Sequence, residues 1–322
     1  MINAVPTPRQ APSDPVRPQF RLSSEPGEAA GVKGGRVGAA RGKVVVGGGV
    51  AQVLVGAGVA ASAVLLRAPY LAGESIRYAL ASAVLAGVGI ASGQKLKLPR
   101  GVEWLWLAGV AALGLVLFNV ALVRGSASAA PAALGVAVAC VPPVLSLAGP
   151  LMERRRPSPR IVAAACLVTA GSVAVVGLGH TGIAGIGWAL VVFACEVAFT
   201  LLAVPVLGRH RALGVSVHAT WMGAVVFGAL GLIFEGPGAF GHLQAGEWEA
   251  LAYLALGTTV TAFLLWYSCV SHIGAARAGL LTGMAPVAAA VTGVILGGPT
   301  PSVSVVAGIA VVLAGLGVGF AR

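Results

Sequence analysis

Residues 127–179 read ASAAPAALGVAVACVPPVLSLAGPLMERRRPSPRIVAAACLVTAGSVAVVGLG, two apolar runs joined by the basic segment ERRRPSPR (153–160). Each run has about the 20 residues that an α-helix needs to cross the hydrocarbon core of a bilayer. Lipid offers no hydrogen bonds to bare backbone, so runs of this kind must be helical. The stretch therefore predicts two membrane-spanning helices connected by a short basic loop.

The same pattern continues over most of the chain. Apolar residues make up 57% and charged residues 10% of the 322 residues, whereas soluble domains are about 25% charged. Breaks between spans fall where charged residues, Pro or Gly cluster. The predicted spans are 44–66, 75–93, 104–123, 127–148, 160–179, 186–207, 215–234, 250–270, 277–296 and 303–320. The predicted fold class is an all-α polytopic membrane protein with ten transmembrane helices.

The basic residues are distributed unevenly between alternate loops. If the N-terminus is cytoplasmic, 18 of the 21 Lys and Arg residues fall on the cytoplasmic side, and the exceptions are Arg67, Arg77 and Arg124. This bias sets orientation during insertion, so we expect a cytoplasmic-membrane protein with both termini in the cytoplasm. The net charge of +11 indicates attraction to anionic inner-leaflet lipid rather than to nucleic acid, because the cations lie beside apolar runs with few aromatics among them.

Residues 1–43 differ in composition from the rest. They contain six prolines, seven Lys or Arg and three acidic residues, with no apolar periodicity. Such a segment buries too little apolar surface to offset the entropy lost on ordering. We expect a disordered basic cytoplasmic tail; a misassigned start codon would explain the segment equally well.

A shift of 144 residues superposes the chain on itself. The shift places Pro142 on Pro286 and Gly149 on Gly293. Because Pro and Gly mark backbone geometry, this coincidence indicates an internal repeat, with halves at 44–179 and 183–322. Five spans per half would put the halves in opposite orientation, an inverted repeat typical of secondary transporters. Pro142 and Pro286 are candidates for helix breaks along a substrate path.

Two longer runs show a shared order of features. One begins at LWLAGVAALG (105–114) and ends at GSVAVV (171–176), and the other is ALGTTVTAFLLWYSCVSHIGAARAGLLTGMAPVAAAVTGVILGG (255–298) with the helix that follows it. Each has a small-residue helix start, a mid-helix Pro, a Gly-rich exit and a final helix with a late Gly. In this order the chain resembles the EamA domain, the five-helix repeat of the drug/metabolite transporter superfamily.

The resemblance covers about residues 44–320, and SIRYALASAVLAG (75–87) resembles the family's second helix, with Arg77 in its characteristic place. It implies ten helices in two inverted five-helix repeats, no cofactor, and movement of a small metabolite, commonly export. One departure concerns the Gly-Glu pair that the family often carries after the second Pro-containing helix. Here that place reads Gly298-Pro299, so no role for a glutamate is transferred.

Glu196 lies near the middle of the sixth predicted span, in VVFACEVAFTLLAVP. A carboxylate at the bilayer centre costs roughly 2.5–3.5 kcal/mol on insertion scales, so it should face the protein interior or a water-filled cavity. A low dielectric favours the protonated carboxyl, which makes Glu196 a candidate proton carrier or substrate-recognition site. The alternative is a hydrogen-bonded carboxyl that only ties helices together.

Other polar and aromatic residues inside the spans are weaker candidates. Gln52 and Asn119 either line the cavity or hydrogen-bond a neighbouring helix. Trp221, Trp266 and Tyr267 form an aromatic wall for substrate or pack against lipid and helices. Arg77 shares a helix face with Glu74, as a structural ion pair or as a gate for a substrate carboxylate.

These residues together predict a secondary active transporter that moves a small metabolite, such as an amino acid, by alternating access and as an exporter. The alternatives are a proton-coupled exporter of lipophilic cations and a membrane scaffold or enzyme without transport. The sequence contains no catalytic motif, metal-ligand spacing or cofactor fingerprint, so we expect no enzyme activity, metal or cofactor. The expected partners are a small-molecule substrate and lipid, in a monomer or homodimer.

Overall fold

The computed structural model describes residues 29–65, 69–129, 131–177, 182–241, 243–298 and 300–321. Chain contacts define two units, Met1–Ala39 and Ala40–Arg322. Most of the predicted tail, residues 1–28, lies outside the described residues, so its disorder stays a prediction. The chain is already helical from Ala29, which differs from the prediction for residues 29–43. All six prolines of the tail precede this point, and a Pro-free segment can extend an existing helix at one hydrogen bond per residue.

The described residues include ten helices long and apolar enough to cross a membrane, which confirms the predicted fold class. They are α1 (Ala29–Leu65), α2 (Tyr70–Ala91), α3 (Glu103–Ser126), α4 (Ala132–Met152), α5 (Pro159–Val176), α6 (Ile183–Leu201), α7 (Val204–Phe234), α8 (Ala245–Ile273), α9 (Ala275–Ile295) and α10 (Val303–Phe320). The protein is therefore a multi-pass membrane protein.

The predicted spacing of 144 residues recurs in the helices themselves. A π-helical segment inside α3, Val110–Leu117, is repeated 144 residues later inside α8 as Leu254–Thr261. The bounds of α5 and α10 differ by the same shift. π-Helical turns are rare in proteins, so their recurrence at one spacing is strong evidence for two copies of one five-helix unit.

Helices α5 and α10 pack closely and run antiparallel. A methyl group added to Gly171 would lie 2.7 Å from the Gly308 carbonyl oxygen, and one added to Gly308 would lie 2.7 Å from that of Gly171. Further along, Gly315 contacts Val168. Later residues of α10 therefore contact earlier residues of α5, which makes the two helices antiparallel. Small residues permit this approach, and the opposite chain direction is what an inverted repeat requires.

Helices α2 and α7 form a second antiparallel pair across the repeat. Gly231 lies against Ala72 near the start of α2, and Gly89 lies against Leu213 near its end. The Glu235 carboxylate accepts hydrogen bonds at 2.9 Å from the backbone amides of Leu71 and Ala72. These amides have no partner within the helix, so Glu235 caps α2 and interacts favourably with its dipole.

Three membrane helices are interrupted. Arg211 has a positive φ of 57°, which breaks α7 where the sequence GRHRALG (208–214) predicted a loop. Helix α4 is interrupted at Cys140, just before Pro142, and α9 narrows to a 3-10 turn at Leu281–Gly283, just before Pro286. A proline ring excludes the hydrogen bond to the carbonyl four residues earlier, which accounts for both positions.

Candidate functional site

Glu196 lies on α6, one turn before residues that contact an aromatic segment of α8. Its carboxyl is half-buried. One turn further along α6, the Phe199 ring lies 5.1 Å from the ring of Tyr267 and 5.0 Å from that of Phe263. The Trp266 indole N–H donates to the Thr200 hydroxyl at 3.3 Å. Trp266 and Tyr267 therefore contact α6 at Thr200 and Phe199, about one helical turn from Glu196.

Gln52 on α1 occupies the position in the first repeat that Glu196 occupies in the second, 144 residues earlier. Its side chain is 6% exposed. Within the described part of the chain, neither of these two side chains has a hydrogen bond or an ion pair. Buried polar groups normally have a partner, so an unpartnered pair at equivalent positions points to a ligand or to water. Both residues are candidates from the sequence, but their equivalence was not predicted, although the 144-residue shift relates them directly.

Arg77 is the centre of a buried polar cluster between α2 and α8. Its guanidinium contacts both carboxylate oxygens of Glu74 at 3.2 Å. It also donates to the hydroxyls of Thr258 at 3.0 Å and Thr259 at 3.1 Å, both in the π-helical segment of α8. The structure thus contains the ion pair that the sequence offered as one interpretation. The two threonines were not predicted, although two adjacent hydroxyls in an apolar span could have indicated a buried polar partner.

Asn119 joins this cluster from α3. Its amide nitrogen donates to the Tyr78 hydroxyl at 2.9 Å and to the Leu115 carbonyl at 2.7 Å. The Arg77 guanidinium lies 5.0 Å from the centre of the Tyr78 ring, within the range of a cation–π contact. Asn119 is therefore hydrogen-bonded to a neighbouring helix, which was one of the two interpretations offered for it.

Trp221 does not join the other aromatic candidates. Its indole N–H donates to His218 Nδ1 at 3.2 Å, and its ring meets Trp104 edge-on with centroids 6.3 Å apart. His218 Nε2 lies 3.0 Å from the Lys97 carbonyl oxygen. One ring nitrogen accepts while the other faces a carbonyl, so these bonds require neutral His218 with its proton on Nε2.

A charged cluster near the break in α7 was not predicted. The Glu103 carboxylate forms an ion pair with Arg209 and lies 3.1 Å from His210 Nε2. The same carboxylate accepts from the Arg100 backbone amide at 2.8 Å, which closes the turn that precedes α3. The residues are far apart in sequence, so only the packing of α3 against α7 could reveal the cluster.

Two open cavities lie at helix ends. One, of about 590 Å³, is lined by Leu96, Lys97, Leu98, Arg100 and Arg209. The other, of about 520 Å³, is lined by Pro69, Glu235, Gly238 and Ala239. We refer to the first side, which carries the loops around Lys97 and Arg209, as the basic side, and to the other as the opposite side. In the part of the chain that the structure describes, no three His, Cys, Asp or Glu residues are grouped to hold a metal ion.

Comparison with known proteins identifies the arrangement. Residues 183–319 match the EamA-like transporter family. The second half of the chain is therefore similar to EamA-like transporters. The uncharacterized transporter YetK of Bacillus subtilis (strain 168) is 26% identical to it over 275 residues, 83% of each protein. The uncharacterized transporter YyaM of the same organism is 26% identical over 132 residues, 39% of this chain and 43% of its own.

A protein of known crystal structure has the same fold as this EamA-like chain, with a TM-score of 0.73. The match covers 87% of this chain and 96% of that protein, at 22% identity. The EamA-like match and the transporter relatives, together with the ten-helix framework, support a membrane transporter. The family and its relatives point away from an enzyme.

Proposed function

We propose that this protein is a secondary active transporter of the cytoplasmic membrane that exports a small, amine-bearing metabolite by alternating access. Both termini would lie in the cytoplasm, so the basic side would be cytoplasmic and its Lys97, Arg100 and Arg209 would meet anionic lipid headgroups. The observation that carries the proposal is the carboxyl of Glu196, which is embedded in a membrane helix without a hydrogen-bond partner among the described residues.

If Glu196 had only a structural role, its carboxyl would be expected to hydrogen-bond a neighbouring helix. A carboxyl that ties two helices together donates to or accepts from a group on the second helix, as Glu235 does with the backbone amides at the start of α2. Glu196 instead lies one turn before Phe199, whose ring packs against those of Phe263 and Tyr267 on α8. A carboxylate next to aromatic faces is a suitable environment for a protonated amine, which gains from both the charge and the rings. The same carboxyl can bind a proton when the amine leaves.

A substrate amine at Glu196 also suits the neutral side chain at the equivalent position. Gln52 can donate or accept a hydrogen bond but carries no charge. An inverted repeat with an acid in one half and an amide in the other would present an asymmetric site. Such a site is suited to a metabolite with one charged and one uncharged polar group, as in an amino acid amide or ester, or to a zwitterion.

The test is transport by the purified protein in liposomes. Glu196→Gln keeps the size and hydrogen-bonding capacity of the side chain but removes its charge, and we expect it to abolish proton-driven uptake of amine-bearing metabolites. Glu249→Gln, an exposed carboxyl on α8, is the matched control and should transport normally. Normal transport by Glu196→Gln across a pH series would refute the role of this carboxyl.

The aromatic surroundings of Glu196 also favour a second candidate, an exporter of lipophilic cations. Bulky hydrophobic cations need a carboxylate and apolar contact but no partner for Gln52. Competition in the same liposomes separates the two: inhibition by amino acids or small amines supports the metabolite carrier, and inhibition by tetraphenylphosphonium alone supports the cation exporter. Absence of counterflow for every solute would favour a scaffold without transport.

A further inference from the structure

The internal repeat relates two side-chain clusters on either side of the α2–α7 contact. Shifting Glu74 and Arg77 by 144 residues gives His218 and Trp221, and in both pairs the two side chains, three residues apart, are hydrogen-bonded to each other. The contact is centred near Gly223, which lies against Tyr78. Glu74 and His218 therefore each stand about 7.5 Å along their helices from that centre, on opposite sides.

The Glu74–Arg77 cluster is bonded to the adjacent helix by charged groups. Arg77 is 8% exposed and uses its three nitrogens on Glu74, Thr258 and Thr259. Separation of α2 from α8 would break the two threonine bonds at once. A guanidinium without acceptors in a low-dielectric interior is costly, so this separation is strongly opposed.

The His218–Trp221 cluster is bonded more weakly. The residues of α3 that correspond to Thr258 and Thr259 are Gly114 and Leu115, which have no hydroxyl. Across to the start of α3, His218 bonds to the Lys97 carbonyl and Trp221 meets the edge of Trp104. His210, whose ring lies 5.5 Å from that of His218, adds the Glu103–Arg209 ion pair, but that pair is partly exposed and therefore weak. Trp221 is 37% exposed, so packing holds this ring less tightly than it holds the buried Arg77.

We infer that these two clusters are the gates of the transport cycle. They differ in strength because the two repeats carry different side chains at equivalent positions. The Glu74–Arg77–Thr258–Thr259 cluster closes the opposite side, and the His218–Trp221 cluster closes the basic side. The resting transporter therefore opens preferentially to the basic side. The inference rests on the proposed transport function, because only a protein that alternates its access needs two gates.

This asymmetry has a consequence for the direction of loading. A ligand shifts a conformational equilibrium only through its different affinity for the two states. Substrate would reach Glu196 from the basic side with little opposition. The bound substrate would then have to favour separation of Arg77 from the threonines before it could leave on the opposite side. That order suits an exporter when the basic side is cytoplasmic.

The test compares hydrogen–deuterium exchange, measured by mass spectrometry, in the full chain in lipid nanodiscs without substrate. Thr259→Val removes one acceptor of Arg77, and we expect exchange in peptides of residues 69–80 to rise about tenfold. Exchange in residues 96–106 and 212–222 should fall at the same time. Thr261→Val is the matched control, since its hydroxyl bonds only within α8, and should change neither end.

The second arm weakens the other gate. Trp221→Phe removes the indole N–H that bonds to His218, and we expect faster exchange at residues 212–222 with slower exchange at residues 69–80. Trp188→Phe, on α6 and packed against Gly125 away from this contact, is its control and should change neither end. Reciprocal changes support two coupled gates. Faster exchange at one end with no change at the other, or at both ends together, would overturn the inference and indicate local loosening.

The exchange experiment separates this inference from the proposed function. It requires no substrate, so it can fail while Glu196-dependent transport in liposomes is intact. In that case the proposed transport function is supported and the assignment of the two gates is wrong. If transport is absent for every solute but the reciprocal exchange is present, the protein alternates between two states for another purpose.

Discussion

At the scale of single residues, the charged groups inside this membrane protein fall into two kinds. Glu74 and Arg77 are buried and neutralise each other, and two threonines satisfy the remaining guanidinium donors. Glu196 is half-buried and has no such partner among the described residues. The first arrangement stabilises one conformation, and the second leaves a group free to bind a ligand or a proton.

The buried ion pair should therefore respond to single and double substitution differently. We expect Arg77→Gln to destabilise the protein by about 3–5 kcal/mol, because it leaves Glu74 buried and unpaired. The double variant Glu74→Gln, Arg77→Gln should recover part of that loss, since it leaves no buried charge. Thermal unfolding in detergent measures both. Arg124→Gln, at an exposed position, is the control and should be neutral; a double variant less stable than Arg77→Gln alone would contradict this account.

At the scale of helices, glycine contacts determine how the two repeats meet. Gly171 and Gly308 allow the backbones of α5 and α10 to touch, and Gly231 does the same for α7 against α2. Lipid provides no hydrophobic drive for helix association, so such close van der Waals contact supplies much of the stability. The matching π-helical segments of α3 and α8 show that local backbone irregularities are preserved between the repeats.

The close contact predicts a selective cost for added volume. Gly171→Ala would place a methyl group against the Gly308 carbonyl and a backbone amide of α10, and we expect a loss of about 1–3 kcal/mol from overpacking. Gly187→Ala, on α6, meets open space and should be neutral or slightly stabilising, because alanine favours helix. Thermal unfolding of the two variants side by side decides the matter; equal melting temperatures would show that α5 and α10 can part at no cost.

At the scale of the whole molecule, ten spans in two antiparallel repeats place both ends of the core on one side of the membrane. The proposed orientation puts the basic side in the cytoplasm. An alkaline phosphatase fused after Gln244, between α7 and α8, should then be active, because that enzyme needs an oxidising compartment for its disulfides. A fusion after Phe320 should be inactive. The reverse pattern would overturn the orientation and the direction of loading.

The sequence alone was sufficient for the number of spans, for the 144-residue repeat and for the polar residues inside the membrane. The reason is that each of these properties is local: span length follows from bilayer thickness, and Pro and Gly act on their own backbone. Gln52, Glu196 and Arg77 could be selected because polar groups in apolar runs are costly wherever the helix packs.

The partners of those residues were decided only by the tertiary structure. Thr258 and Thr259 reach Arg77 across more than 180 residues of sequence, and Glu103 meets Arg209 across 106. Apolar helices carry little information about which face meets which neighbour, since lipid and protein solvate leucine almost equally well. The assembled fold therefore determined which buried charge is satisfied and which is available, and that difference separates a gate from a binding site.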